Sequence, residues 1–572
     1  MSERHGMPPA FNRRRRRGAR PPAEAAAPCA AGALAALAAI GSLSAICASC
    51  RGPLDGGPVQ ADVQRLRTAD EVDFEAMSRT PPKSIEEASN ATLREVVAPK
   101  LIARTTQLEL AEVRAAALHN NLELGVELYN PTISQTFVRE EEARFEWTFF
   151  GTAGRAKQDA PTATLVQASQ ATSNNYDLGV RIPMRTGGTV TVDAPFSDLT
   201  TNDVFATLNP SYQAAIQFSI SQPLLRNAGF SANTNGIRVA NLQAQISDAQ
   251  TKLAAIRILA AADKAYWALY AARRELEVRQ QRYELTVEQL ERAKRLVLAG
   301  TSAEVEVIRA QSGVAESLNG IIVAETSLKI RQRDLKRIVN REDLPMGGPT
   351  EVIPATSPSP MGLDLDAEQL AERAIANRME MLELELQLAI DASNLDFQRN
   401  QALPLFVLDY TYSRDGLGTS YNAAFTQTVD QSFENWQFNA RLEIPLGNEA
   451  AKARVSRAVV TRVQRLGTRD QRRQAIRQEV FDSLDRLQQN WQRILAARQA
   501  TILAGRTFEA EKRQFELGLR TSTDVLDAAA RLADAQSQEV NALADYQIAQ
   551  VDLAFATGTL LGSGRVEWAP RS

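Results

Sequence analysis

Histidine, cysteine and aromatic side chains are scarce in this chain, and each scarcity removes a class of function. Only two histidines occur among 572 residues, His5 and His119. A metal centre built on imidazole and thiolate, or a catalytic group that relays protons through histidine, is thereby close to excluded. Eight methionines and two histidines give no support to a copper or zinc relay. Aromatics make up only 6% of the chain although hydrophobic residues reach 44%. Ala, Leu, Gln, Arg and Glu dominate from about 230 to 340 and from 448 to 556, the signature of long helices packed side by side rather than of compact mixed cores. Beyond Cys50 no stretch reaches the ~18 apolar residues that a membrane-spanning helix needs. The mature chain is then soluble, or it crosses a membrane as strands. No acid–base pair, nucleophile constellation or phosphate loop emerges, so an enzyme is poorly supported and no cofactor is expected.

Charge separates the N-terminus from the body. Residues 1–49 carry seven Arg against Glu3 and Glu24, a net of +5, which leaves −8 for the rest of a chain whose total is −3. An acidic body argues against nucleic acid as a partner. The basic run Arg13–Arg17, with Arg20, precedes an apolar stretch at 29–48 and then small residues, which reads as an export signal. All three cysteines, Cys29, Cys47 and Cys50, lie here. Ala48-Ser49-Cys50 resembles the end of a bacterial lipoprotein signal, with Cys47 where Leu is usual; cleavage before Cys50 leaves one thiol for lipid (palmitate) attachment. The plainer alternative is a secretory signal cut nearby, and Met7 offers a second possible start.

The rest of the chain repeats itself. Ile220-Ser221-Gln222-Pro223-Leu224 and Leu442-Glu443-Ile444-Pro445-Leu446 each end an alternating stretch and precede a polar break and a long helical pattern. Further on, Gly300 to Glu306 matches Gly518 to Asp524 at a constant offset of 218, which duplication explains more simply than chance. After Pro223 apolar or small residues fall at Val239, Leu242, Ile246, Ala249, Leu253 and Ile256, the three-and-four spacing of a coiled-coil seam. A helix from about 237 to 299 is a rod of roughly 95 Å, and a second from about 450 to 516 matches it. Gly300 and Gly518 supply the left-handed residue at each rod's end. Thr301 with Glu304, and Thr521 with Asp524, have capping-box spacing for helices returning to about 340 and 560. Shorter helices are expected near 105–129 and 367–400.

Four stretches alternate with period two: around Phe145–Phe149, Tyr212–Ile220, Phe406–Tyr412 and Trp436–Ile444. Alternation alone suits an ordinary half-buried sheet, but four strands cannot close a barrel and an open edge cannot sit in lipid. Several copies must combine if the strands enter a membrane. A further hairpin around Gly187-Gly188, within 176–196, either extends the wall or covers its mouth. The expected organisation is an export signal at 1–49, an N-terminal linker at 50–100 and a first repeat at 101–341. That repeat has strands at about 143–151 and 211–222 and a long hairpin at 231–340. An inter-repeat linker or equatorial belt comes next, at 342–366. The second repeat, 367–562, has strands at about 404–413 and 434–445 and a hairpin at 448–560, before a tail at 563–572.

With these features in place, the chain resembles the TolC-like outer-membrane efflux proteins, or outer membrane factors, over roughly 100–562. The most specific matches are Ser219–Leu225, Leu442–Gly447, the tip Phe515–Asp527, and Leu118–Leu124, which looks like the family's opening helix. The resemblance implies a mainly α fold with a small β part, in a homotrimer whose helices form a tunnel across the periplasm. It also implies a shared 12-stranded outer-membrane barrel with four strands per protomer, set in outer-membrane lipid. Carried over residue by residue, Asp524 and Asp527 would line a closed periplasmic entrance, with Arg520 tying neighbouring helices, Glu306 as its partner and Phe515 packed beside them. The plainer reading is that Asp524 only caps a helix and Asp527 is solvated. Gly300, Thr301, Gly518, Leu519 and Thr521 would form tips that meet a periplasmic adaptor (membrane fusion) protein linked to an inner-membrane pump. The functional expectation is passive conduction through the outer membrane for efflux or type I secretion. The rival is a structural coiled-coil envelope protein without a pore.

Overall fold

The computed structural model describes residues 77–78, 104–164, 167–430 and 433–566. The export-signal and Cys50 expectations lie outside them. Residues 97–572 form one compact unit, which holds both repeats.

The chain enters this unit through strand β1 (Arg104–Leu108), where the sequence suggests a helix. Three helices come after it: α1 (Leu110–Asn120), α2 (Leu122–Glu127) and α3 (Asn130–Ala143). The opening helix is therefore split. Asn121 sits in extended backbone and its side chain accepts from the Leu124 amide, which ends one helix and caps the next. Pro131, in the first turn of α3, restarts the helix where a missing N–H costs nothing. Because α3 runs to Ala143, the first strand is displaced from 143–151 to β2 (Thr148–Asp159). Then come β3 (Gln170–Pro183), β4 (Thr189–Thr201) and β5 (Ser211–Pro223).

The short α4 (Phe230–Asn233) leads into α5 (Asn235–Leu298), 64 residues long, and α6 (Val305–Val339) returns beside it. The inter-repeat belt is not featureless: β6 (Thr350–Pro354) pairs in parallel with β1. The second repeat comprises α7 (Ala367–Asn377), α8 (Met379–Gln401), β7 (Leu405–Gly418), α9 (Tyr421–Asp430) and β8 (Glu434–Glu443). Its hairpin is α10 (Glu449–Glu516), 68 residues, and α11 (Ser522–Ala556), with α12 (Leu560–Ser563) after it. At ~1.5 Å per residue the two rods are roughly 95 and 100 Å long. Their inward seams are small: Ala528, Ala529, Ala533, Ala542 and Ala549 are buried along α11, letting helices approach closely.

Near the belt the packing is tighter and partly polar. Leu108, Val113, Tyr266, Trp267, Leu335 and Val352 share one core that joins β1, α1, α5, α6 and β6. Arg114 clamps Asp263 with two hydrogen bonds of 2.8 and 2.7 Å, and Asp263 is fully buried. Burial pushes the Asp263 carboxyl up, and the Arg114 guanidinium pulls against it. The Tyr266 hydroxyl donates to the Leu108 carbonyl at 3.1 Å and accepts from the Thr356 amide at 2.8 Å, fastening both belt segments to α5.

The main sheet has six strands in the order β2-β3-β4-β5-β7-β8, all neighbours antiparallel. Four of these strands are the expected ones, and β3 and β4 are the further hairpin expected within 176–196. The 176–196 hairpin lies within the sheet, because β3 pairs along β2 and β4 along β5, so β2 and β5 are not neighbours. Register then fixes the faces. Phe149 lies opposite Val180, Val180 opposite Val192, Val192 opposite Phe218, Phe218 opposite Tyr412, and Tyr412 opposite Trp436. Two residues along, Ile182, Val190, Ile220, Tyr410 and Phe438 make a second row on the same face. The opposite face carries Asp177, Arg181, Thr191, Asp193, Gln217, Ser219, Thr411, Gln437 and Asn439.

Candidate functional site

The two hairpin tips end their long helices in the same way. At the first, Gly300 has φ +73°, its amide donates to Val297 at 3.0 Å, and the Thr301 amide reaches back to Leu296 at 3.0 Å. At the second, Gly518 has φ +74°, with Gly518 to Phe515 and Leu519 to Gln514, both 3.0 Å. These are two Schellman turns, which satisfy the terminal carbonyls and call for glycine at the left-handed position. Both glycines face open space. Beside them Leu298, Leu517 and Leu519 are 88%, 73% and 72% exposed, so each tip ends in uncovered leucine. Of these, sequence reading picks out only Leu519. The others carry no motif and stand out only by their exposure.

The tips differ in how the returning helix starts. At the second, the Thr521 amide and hydroxyl donate to Asp524 at 2.9 and 2.8 Å, and the Asp524 amide donates to the Thr521 hydroxyl at 3.4 Å. This capping box holds the Asp524 carboxyl below the usual carboxylate range, chiefly through the Thr521 amide. At the first tip the expected Thr301–Glu304 box does not form. Thr301 spends its hydroxyl on the Leu296 carbonyl at 3.0 Å, and Glu304 is already in helical geometry with no side-chain cap bond.

Glu306 does not meet Arg520. One of its carboxylate oxygens accepts from Arg309 at 2.6 Å and the other from the Ser522 amide at 3.1 Å. It thus caps the first turn of the other repeat's returning helix, where the dipole favours an anion. Arg520 turns back along its own hairpin, donating to Gln514 at 3.0 Å and lying 3.2 Å from Glu511. The physical reason is competition: within one chain the Glu306 oxygens are already occupied by Arg309 and Ser522. Asp527 is exposed one turn beyond Asp524. Phe515 is buried under the Arg292 guanidinium, 5.7 Å from its ring centroid, and Arg292 pairs with Glu516 at 2.9 Å. Lys512 and Glu288 lie 3.5 Å apart between the same two helices. Ser522, fully buried, accepts from Gln289 at 3.2 Å. Sequence reading misses Ser522, Gln289 and Arg292, because each acts across the repeats and spacing within one helix cannot show it.

A duplicated strand-and-hairpin chain, with one alternating sheet shared by both repeats and paired helical tips, has the fold of solved outer-membrane channels. Residues 370–559 match the family model for outer membrane efflux protein. TolC of Vibrio cholerae serotype O1 is 26% identical over 301 residues, covering 52% of this chain and 66% of that protein. TolC of Escherichia coli K12 is 26% identical over 192 residues, covering 32% and 39%. The chain thus matches somewhat under two thirds, or less, of these curated relatives. A crystal structure of CusC superposes with TM-score 0.60 at 16% identity, over 78% of this chain and 92% of that one. The Campylobacter jejuni CmeC outer membrane channel gives 0.58 at 14%, over 79% and 86%. Residues 370–559 thus carry an outer membrane efflux protein domain, and the chain resembles TolC in sequence and solved outer-membrane channels in fold.

Proposed function

We propose that three copies of this chain form a channel that conducts solutes passively from periplasm to exterior. The observation that carries this reading is the sheet's single apolar face. Phe149, Trp436, Phe438 and Leu442 are large, apolar and at least half exposed, as is Trp147 just before β2, and the four lie on strands whose outer edges, on β2 and β8, have no partner among the described residues. In water such a surface invites aggregation, whereas in lipid it is the required outer face, provided the edges close against other copies. The polar face then lines the passage. Along α10, Val460, Val463 and Leu503 are uncovered, which suits contact with a neighbouring copy.

In this reading the tips gate the periplasmic entrance. Asp524 and Asp527, three residues apart on α11, would make acidic rings under threefold symmetry, and Arg520 has a half-exposed side chain with which to engage a neighbour. The exposed leucines around Gly300 and Gly518 supply an apolar surface for the helical hairpins of a periplasmic adaptor, and through it an inner-membrane pump for efflux or type I secretion. Lipid on Cys50 would anchor the mature end. The test is reconstitution of the purified chain in planar bilayers. Discrete ionic current steps from heat-resistant trimers support the channel; heat-resistant trimers that insert yet carry no current favour the structural coiled-coil alternative.

A further inference from the structure

We propose that the β3–β4 hairpin is a full-height wall element, so that a trimer closes eighteen strands rather than twelve and its exit section is correspondingly wider. This rests on the channel reading above. Three observations carry it.

The first is pairing. β3 runs in unbroken register along β2 from Asp159 to Thr148 and along β4 from Thr201 to Thr189, and β4 runs on along β5. A hairpin folded over a barrel mouth would leave β2 paired with β5. Strands of 14 and 13 residues exceed the roughly 9–11 that a tilted membrane strand needs.

The second is where the turn lies. Residues 184–188 sit at the strand-to-helix junction, at the far end of the sheet from α9. The Gly229 amide donates to the Thr186 carbonyl at 3.0 Å, and the Thr186 hydroxyl donates to Gln222 at 2.9 Å. Gly187 has φ +92°, and a Cβ there would collide with the Asn227 carbonyl and the Asn233 side chain. The Arg185 guanidinium lies 5.8 Å from the Phe145 ring centroid. The hairpin therefore descends the whole sheet and is pinned at its helical end.

The third is the continuity of the faces. Tyr176, Leu178, Val180 and Ile182 on β3, and Val190, Val192, Ala194 and Phe196 on β4, continue the apolar face of the flanking strands. Asp177, Arg181, Thr191 and Asp193 continue the polar one. A segment surrounded by water has no reason to keep the same alternation in phase with its neighbours. Adding two strands also preserves parity: β2 and β8 still run in opposite directions, so β8 of one copy can meet β2 of the next in antiparallel fashion. Barrel diameter grows roughly linearly with strand number, so eighteen strands give an exit about 1.5 times as wide as twelve, a class of barrel that leaves an open aqueous channel. Charged residues from the hairpin, Asp177, Arg181 and Asp193, then belong to the pore lining.

The experiment is cysteine substitution at Val190, Thr191, Val192 and Asp193, one at a time, in trimers reconstituted in lipid bilayers and challenged with a membrane-impermeant maleimide. Wild-type trimers, carrying only the native thiols, set the background. The expected result is modification of T191C and D193C at least tenfold faster than of V190C and V192C. Equal rates at all four positions in heat-resistant trimers would overturn the wall assignment while leaving the channel reading intact. A wild-type chain that forms no trimer would overturn both. A strand count on wild-type trimers by electron cryo-microscopy needs no variant: eighteen supports the proposal and twelve overturns it.

Discussion

The two long helices are close in length, 64 and 68 residues, yet 22 residues of α5 are buried in the single chain and only seven of α10. Duplication made two similar rods, and the fold uses them differently. α5 is the hub: it packs against α1, α3, α6, α8 and α11, and holds Asp263 and Tyr266 at the belt. α10 packs mainly on α11, α8 and α7 and leaves valines and leucines uncovered. A buried hub fixes the protomer, and an uncovered rod is free to fix the assembly.

The sharpest way to break this comparison is at assembly. Val463→Glu combined with Leu503→Glu places charge where a neighbour is expected to pack. The double variant should abolish heat-resistant trimers on gels while its circular dichroism stays helical; unchanged trimers would mean that α10 is not the contact. At the hub, Asp263→Ala leaves Arg114 without its partner, and Arg114 is 21% exposed, so the loss should fall near the low end for a broken buried pair, about 3 kcal/mol. Thermal melting of detergent-solubilised protein measures it, with helix unfolding as the signal.

The tips give a smaller, paired contrast. Thr521→Ala removes a formed capping box and should cost about 1 kcal/mol, whereas Thr301→Ala loses one exposed bond to the Leu296 carbonyl and should stay within about 0.5 kcal/mol. Equal losses would erase the distinction between the tips. The same box carries a pH signature. Because the Asp524 carboxyl is held below its ordinary value of about 3.9, its contribution is complete above that value and is lost as pH falls through the depressed one. Amide hydrogen exchange at Thr521, whose N–H donates to the Asp524 carboxylate, corrected for intrinsic rates, should lose protection only on acidification below about pH 4, while Thr301 should show no such step.

Much of this is legible from spacing. The rods, their glycine ends and the Thr521–Asp524 box depend on neighbours within one helix or turn, and those relations are written in the local sequence. What is not legible depends on contacts between distant segments. Glu306 looks like a partner for Arg520 because both stand at matching tips; only the packing of α6 beside α11 puts it on the Ser522 amide. Thr301 and Glu304 have the right spacing but the wrong competition, since the preceding Schellman turn offers the Thr301 hydroxyl a nearer acceptor. β1 reads as helix because its strand character comes from β6, more than 240 residues away. The β3–β4 hairpin is legible from its alternation around Gly187-Gly188, but its place between β2 and β5 is not, because that depends on pairing with strands outside the hairpin.

The central claim is that the second tip, with Arg520, Asp524 and Asp527, carries the gate while the first supports it. Single-channel conductance of Arg520→Ala beside Arg309→Ala, each in reconstituted trimers, tests it most directly. The account predicts raised conductance for Arg520→Ala and a wild-type value for Arg309→Ala; an unchanged Arg520→Ala, or an equal rise in both, would contradict it.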